Sequence, residues 1–189
     1  MRNIAIFASG SGSNAENIVN HFKGGNIARV VLILSENEDA YVLERARKLN
    51  VTSIHFSLEE LKNGKILSTL KYYSIDMIVL AGFLKLFPQS IIEAFPQKIV
   101  NIHPALLPKY GGKGMYGDRV HRAVIEAGES ESGITIHYVN QNYDDGGIIF
   151  QARCSILSDD KPETLAQRVH QLEYEYFPKV IEKMLREGY

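Results

Sequence analysis

Asn3-Ile4-Ala5-Ile6-Phe7-Ala8 runs straight into Ser9-Gly10-Ser11-Gly12-Ser13-Asn14, and the reading of that junction decides the fold. The first stretch is an apolar run of the length of a buried strand. The second is built of Gly, Ser and Asn, a turn composition. A helical pattern then extends from about Asn14 to Phe22. A strand feeding a glycine-rich turn that opens a helix is the first half of a βαβ unit, and the free N–H groups at the helix start favour an anion. The spacing Gly10-x-Gly12-x-x-Ala15 is compatible with a nucleotide loop, since alanine is tolerated at the third position. The second strand offers only Glu36 as an acidic partner, and no Walker lysine is present. On this stretch alone, a turn that merely caps a helix remains open.

Outward from the junction, short apolar runs alternate with amphipathic segments. Strands are expected at Val30 to Leu34, Val51 to Phe56, Asp76 to Leu80 and Lys98 to Ile102. Helices are expected at Ala40 to Leu49, Leu58 to Tyr73 and Pro88 to Ala94. This alternation implies a mainly parallel sheet covered on both faces, which explains the unalternating run Met77-Ile78-Val79-Leu80. The second half reads differently: a glycine loop over 111–117, a helix from Arg119 to Ala127, strands at Gly133 to Val139 and Ile148 to Ile156, and a long helix from Lys161 to Arg186. The two late strands are expected to add antiparallel edge strands. The fold class is therefore α/β, in a single domain over residues 1–189. Its phosphate-binding half spans about 1–100, and a catalytic half about 80–189.

Hydrophobic residues make up 45% of the chain and charged residues 23%, a globular balance. A net charge of -1 argues against a nucleic-acid partner. Cys154 is the sole cysteine, so no internal disulfide forms, and a reducing, cytoplasmic setting is expected. The longest apolar stretch falls far below the roughly 20 residues of a membrane span. No histidine pair or cysteine cluster has zinc-ligand spacing, so no metal is expected.

The densest chemistry lies in Asn101-Ile102-His103-Pro104-Ala105-Leu106-Leu107-Pro108-Lys109-Tyr110. Strand periodicity puts Asn101 and His103 on one face. Pro104 ends the strand there, at the carboxyl edge where α/β sheets bind ligands, and either proline is a candidate for a cis bond. An amide and an imidazole side by side suit acyl transfer to an amine: one donates to the developing oxyanion, the other handles protons. Asp144-Asp145-Gly146-Gly147 supplies a carboxylate at a turn between two strands. His121 and His137 are candidates for supporting roles, and His21, His55 and His170 for packing or surface.

Gly10-x-Gly12-Ser13-Asn14, Leu80-Ala81-Gly82-Phe83, Asn101-Ile102-His103-Pro104-x-Leu106-Leu107-Pro108 and Asp145-Gly146-Gly147 together resemble the folate-dependent formyltransferases, over about Arg2 to Lys183. The resemblance implies a Rossmann-like mainly parallel sheet. It implies transfer of a formyl group from 10-formyltetrahydrofolate to the amine of 5'-phosphoribosylglycinamide in purine synthesis. Formyltetrahydrofolate hydrolysis and a non-catalytic phosphate-binding module are the alternatives. It further implies a catalytic trio of Asn101, His103 and Asp145, with Asp145 chosen over Asp144 because it directly precedes two glycines. Gly12, Ser13 and Asn14 would cradle the substrate phosphate, and Lys109 and Glu173 would contact the same substrate. Leu84, Lys85 and Leu86, with Asn101 and Asp144, would hold the folate. The partners implied are small molecules, with no nucleic acid and no membrane, and the protein is expected as a monomer or homodimer.

Overall fold

A computed structural model describes residues 1–188, so that of the expected domain only Tyr189 lies outside the described residues. Seven strands form one sheet: β1 (Arg2–Phe7), β2 (Ala28–Ser35), β3 (Thr52–His55), β4 (Met77–Leu80), β5 (Ile99–His103), β6 (Glu131–Tyr138) and β7 (Ile148–Ser155). Their order is β3-β2-β1-β4-β5-β6-β7. The first five run parallel, and β6 and β7 pair antiparallel at one edge. The helices are α1 (Ser13–Phe22), α2 (Tyr41–Lys48), α3 (Leu58–Lys62), α4 (Lys65–Tyr72), α5 (Gln89–Ala94), α6 (Asp118–Glu126) and α7 (Pro162–Glu187).

Alternation along β1 separates two core layers. Ile4 and Ile6 pack toward α1, α2, α6 and α7 on one face. Ala5 and Phe7 pack toward α3, α4 and α5 on the other, where the Phe7 ring meets Phe56, Phe83 and Phe87 edge-on. Every one of these β1 side chains is fully buried, as the central strand of a two-faced sheet requires. From β1 the chain builds β2 and β3 on one side, then crosses back to lay β4 on the other. That reversal opens a crevice at the carboxyl ends of β1 and β4.

The single helix expected over Leu58 to Tyr73 is two helices. Gly64 sits at φ 90, and the Asn63 side chain accepts from the Lys65 N–H, so α3 stops and α4 starts anew. The long helix α7 carries Pro178, which has no N–H to offer the Tyr174 carbonyl one turn back. Asn17 Nδ2 donates to that carbonyl instead, at 2.9 Å. Asn14 Nδ2 of the same helix donates to Glu173 Oε2 at 2.8 Å. Two amides of α1 thus hold α7 across the carboxyl end of the sheet.

Gly133 on β6 has no room for a side chain: an added Cβ would lie 1.9 Å from the Ala152 carbonyl of β7 and 2.9 Å from Leu106. Gly133→Ala is expected to cost about 1–3 kcal/mol through overpacking. Urea unfolding should show a lower midpoint at unchanged slope, and an unchanged midpoint would refute so close an approach of β7.

Candidate active site

The crevice is a cavity of about 420 Å³. Its walls come from the turn after β1, the segment after β4, the end of β5, the glycine loop before α6, α6 itself, the loop before β7, and α7.

At one end lies the turn of the opening sequence. Gly12 adopts φ 73, and a Cβ there would fall 2.3 Å from Val42 of α2. Glycine is thus required twice over, by conformation and by packing. It ends the turn so that α1 begins at Ser13 with no side chain capping it. The helix start therefore presents backbone N–H groups, and the positive end of the helix dipole, to the cavity. Arg45 braces the turn from behind, donating to the Ser11 carbonyl at 2.8 Å and pairing with Glu16.

At the other end, the antiparallel register puts Asn101 opposite His137 and His103 opposite Thr135. His137 Nδ1 donates to the Tyr138 carbonyl (2.8 Å), which leaves Nε2 as an acceptor for Asn101 Nδ2 (3.0 Å). The Asn101 amide is thereby oriented, with a second, longer donation of 3.4 Å to Asp144 Oδ1. His103 is buried, and its Nε2 donates to the Tyr110 carbonyl at 2.7 Å. A carbonyl only accepts, so the neutral ring carries its proton on Nε2 and presents a bare Nδ1. Asp144 Oδ2 lies 3.5 Å from that Nδ1 and accepts from the Gly112 N–H at 3.0 Å.

The charge balance follows. Burial pushes the His103 imidazole below its ordinary value, against the raising influence of Asp144 and of the Tyr110 carbonyl. Burial also works to raise the Asp144 carboxyl, but His137, His103 and the Gly112 N–H outweigh it and hold the group below the usual carboxylate range. Near pH 7 the site therefore holds a neutral imidazole beside an ionised carboxylate.

Among the sequence-derived candidates, Asn101, His103, Gly12, Ser13, Asn14, Leu84, Asp144 and Glu173 line this cavity. Lys85 and Leu86 line a cleft of about 50 Å³ that shares Asn101, Tyr143 and Asp144 with it. Asp145 does not reach His103: its carboxylate turns outward and accepts from Asn142 (3.0 Å) and Asn140 (3.3 Å). The carboxylate facing the imidazole is that of Asp144. Gly146 explains the geometry, because a Cβ there would lie 1.7 Å from the Tyr138 carbonyl. The obligatory glycine stands two residues after the inward carboxylate, a spacing that the direct Asp-Gly contact obscures. Lys109 is also elsewhere: it pairs with Glu129 at 2.8 Å beside a separate cavity of about 220 Å³. Of the two proline candidates, Pro108 follows a cis bond.

The sequence missed four supporting roles, those of Thr135, Ser9, Glu36 and Tyr110. Thr135 Oγ1 donates to the Ala105 carbonyl (2.7 Å) and accepts from the Leu107 N–H (3.0 Å), pinning the chain after His103. Ser9 Oγ donates to Glu36 (2.8 Å) and accepts from the Leu84 N–H (3.0 Å), so Glu36 fixes the segment after β4. The Tyr110 carbonyl sets the histidine tautomer. Thr135 gave a sequence signal through its place on the strand face of His137, and Glu36 gave only that of a weak acidic partner to a nucleotide loop. Among the described residues, no helix is long and apolar enough to cross a membrane.

A family model described as formyl transferase matches residues 2–181. The phosphoribosylglycinamide formyltransferase of Bacillus subtilis is 36% identical over 191 residues, covering 98% of this chain and 95% of that protein. The chloroplastic phosphoribosylglycinamide formyltransferase of Arabidopsis thaliana is 39% identical over 187 residues; the match covers 95% of this chain and spans 64% of the relative's length. The crystal structure of glycinamide ribonucleotide transformylase 1 from Geobacillus kaustophilus superposes with a TM-score of 0.88 at 38% identity, covering 98% of this chain and 99% of that one.

Asp144 raises the His103 value and Asp145 has no contact with the ring, so the two aspartates are separable by titration. In Asp144→Asn the His103 imidazole resonances should titrate at still lower pH than in the parent, while Asp145→Asn should leave them in place. A shift in the second variant but not the first, followed by NMR, would reverse the assignment.

Proposed function

The chain belongs to the formyl transferase family, and we propose that it transfers a formyl group from 10-formyltetrahydrofolate to the amine of 5'-phosphoribosylglycinamide, a step of purine synthesis. The observation that carries this reading is the convergence, within one cavity, of an uncapped helix start with an oriented amide, a neutral imidazole and an ionised carboxylate. The first suits a phosphate monoester, and the others suit attack of an amine on an activated formyl carbon.

The amine nitrogen attacks the formyl carbon, and negative charge gathers on the formyl oxygen. Asn101 Nδ2 gives up its long bond to Asp144 and donates to that oxygen. His137 keeps the amide from rotating away. His103 Nδ1 is the bare base that takes the proton lost by the amine, and the resulting imidazolium is stabilised by Asp144. The bond from carbon to the folate N10 then breaks, and His103 returns its proton to that nitrogen. One C–N bond forms, one breaks, and the proton count closes. The amine is a nucleophile already, so no covalent enzyme intermediate is needed.

Ser13 and Asn14 hold the phosphate together with the helix N–H groups. Leu84, Lys85 and Leu86 present backbone groups and exposed leucine side chains to the flat ring of the folate. The lone thiol of Cys154 supports a reducing, cytoplasmic setting.

Loss of the formyl group from 10-formyltetrahydrofolate should require the phosphorylated amine. Loss without it would point to hydrolysis, and no loss at all to a binding module. Asn101→Ala, His103→Ala and Asp144→Asn should each lower turnover by about a hundredfold or more, the scale of oxyanion and proton-transfer groups. Asp145→Asn should stay within a few-fold of the parent, since its carboxylate faces outward.

A further inference from the structure

Between the two ends of the cavity lies a wall contributed by three helices: Asn14 of α1, His121 of α6, and His170 and Glu173 of α7. Apart from Asn14 at the phosphate, the function proposed above uses none of these side chains, and His121 has the most unusual surroundings. The residue is 2% exposed, and its Nδ1 is shut off from solvent with no hydrogen-bond partner. The ring nevertheless lines the cavity, so it meets that space through its other edge, which carries Nε2. A buried N–H without an acceptor is rarer in folded proteins than a buried lone pair without a donor. The sealed Nδ1 is therefore the bare nitrogen, and the proton sits on Nε2. Burial, followed by the neighbouring His170, pushes His121 down to about 4, so the ring stays neutral near pH 7.

We propose that His121 is a specificity-determining residue for the amine substrate: its Nε2–H donates to an uncharged oxygen in the segment that joins the phosphate to the amine. The proposal rests on the function proposed above, which places the phosphate at Gly12–Asn14 and the amine beside His103. The linking segment must then cross this wall. The wall's four side chains include no lysine or arginine, which suits an uncharged sugar–amide linker better than a second anion. Asn14 already spends its amide N–H on Glu173, and its Oδ1 is likewise buried without a partner. Burial, opposed by the Asn14 bond, raises the Glu173 carboxyl. A neutral donor on α6 facing polar groups on α1 and α7 distinguishes a hydroxylated, amide-bearing linker from a bare alkyl one. His170, stacked on Tyr174, extends the wall toward solvent.

Steady-state kinetics of His121→Phe and His121→Gln test the assignment. The phenylalanine fills the space without a donor, whereas the glutamine amide reaches about as far as Nε2 and donates. His121→Phe should raise the KM for 5'-phosphoribosylglycinamide about fivefold to tenfold, the effect of one neutral hydrogen bond. The KM for the folate and the turnover number should hold near parental values, and His121→Gln should recover most of the lost affinity. An unchanged amine KM in His121→Phe overturns the proposal. So does an equal rise in both variants accompanied by a fall in melting temperature, which would mark a packing role. Failure of the underlying function shows earlier, in the parent enzyme, as formyl loss that does not depend on the amine.

Discussion

The site is held by the pairing of β5 against β6, which sets Asn101 opposite His137 and His103 opposite Thr135. On a strand the side-chain period is two, so a slip of one residue would turn both groups of β5 to the opposite face of the sheet. Several features exclude that slip. Ile102 and Ile136 are directly opposed and both buried in the core that α1, α6 and α7 cover. Gly133 permits β7 to approach where no other residue could. Thr135, from its place opposite His103, bonds two backbone groups of the chain leaving β5. Gln151 of β7 adds a bond to the same threonine (2.9 Å) and one to the Leu107 carbonyl (3.0 Å). The antiparallel edge of the sheet is therefore the frame of the chemistry rather than an appendage to a parallel fold.

The same pairing accounts for the electrostatics. His103 and His137 are both nearly inaccessible, and each shares the Asp144 carboxylate at 3.5 and 3.6 Å. Burial alone would discharge both kinds of group. The carboxylate keeps its charge through what donates to it and what lies beside it, while the imidazole loses its charge to burial. A base that is neutral at rest, beside an anion that stabilises it only once it is protonated, is prepared for the transition state rather than for the ground state. At the far end the phosphate is met by backbone N–H groups of the helix start, which do not titrate.

Much of this was readable in the sequence, and the exceptions have physical causes. All seven strands and the parallel-to-antiparallel change follow from apolar runs and turn residues. Asn101 and His103 declared themselves through strand alternation and the following proline. Asp144 did not, because two adjacent aspartates before two glycines look alike until the hairpin register shows which side chain turns inward. Lys109 carries a charge of the right sign for a phosphate, but its ammonium is held by Glu129, 20 residues away. Glu36 appeared as a poor nucleotide-binding acid, yet its role is to hold Ser9 and through it Leu84, a contact across the sheet end that no local pattern encodes.

The two groups that flank the His103 ring share a further property. Tyr110, whose carbonyl takes Nε2–H, has φ 56, and Asp144, whose carboxylate faces Nδ1, has φ 52. Both are non-glycine residues in the left-handed region, where an L-residue costs roughly 1–2 kcal/mol. Aspartate tolerates that conformation better than most, but tyrosine has no such ease. Each sits at a loop end tied down on both sides. Tyr110 is held by its hydroxyl, which donates to Glu129 at 2.9 Å, and Asp144 by the Gly112 N–H and the Asn101 amide. Glycine at either position would relieve the conformational cost, but at 144 it would delete the carboxylate, and at 110 it would free the backbone that fixes the tautomer. Strain at these two points is thus inseparable from the orientation of one ring. The loops that carry them have stability spent on holding the imidazole between a carbonyl and a carboxylate.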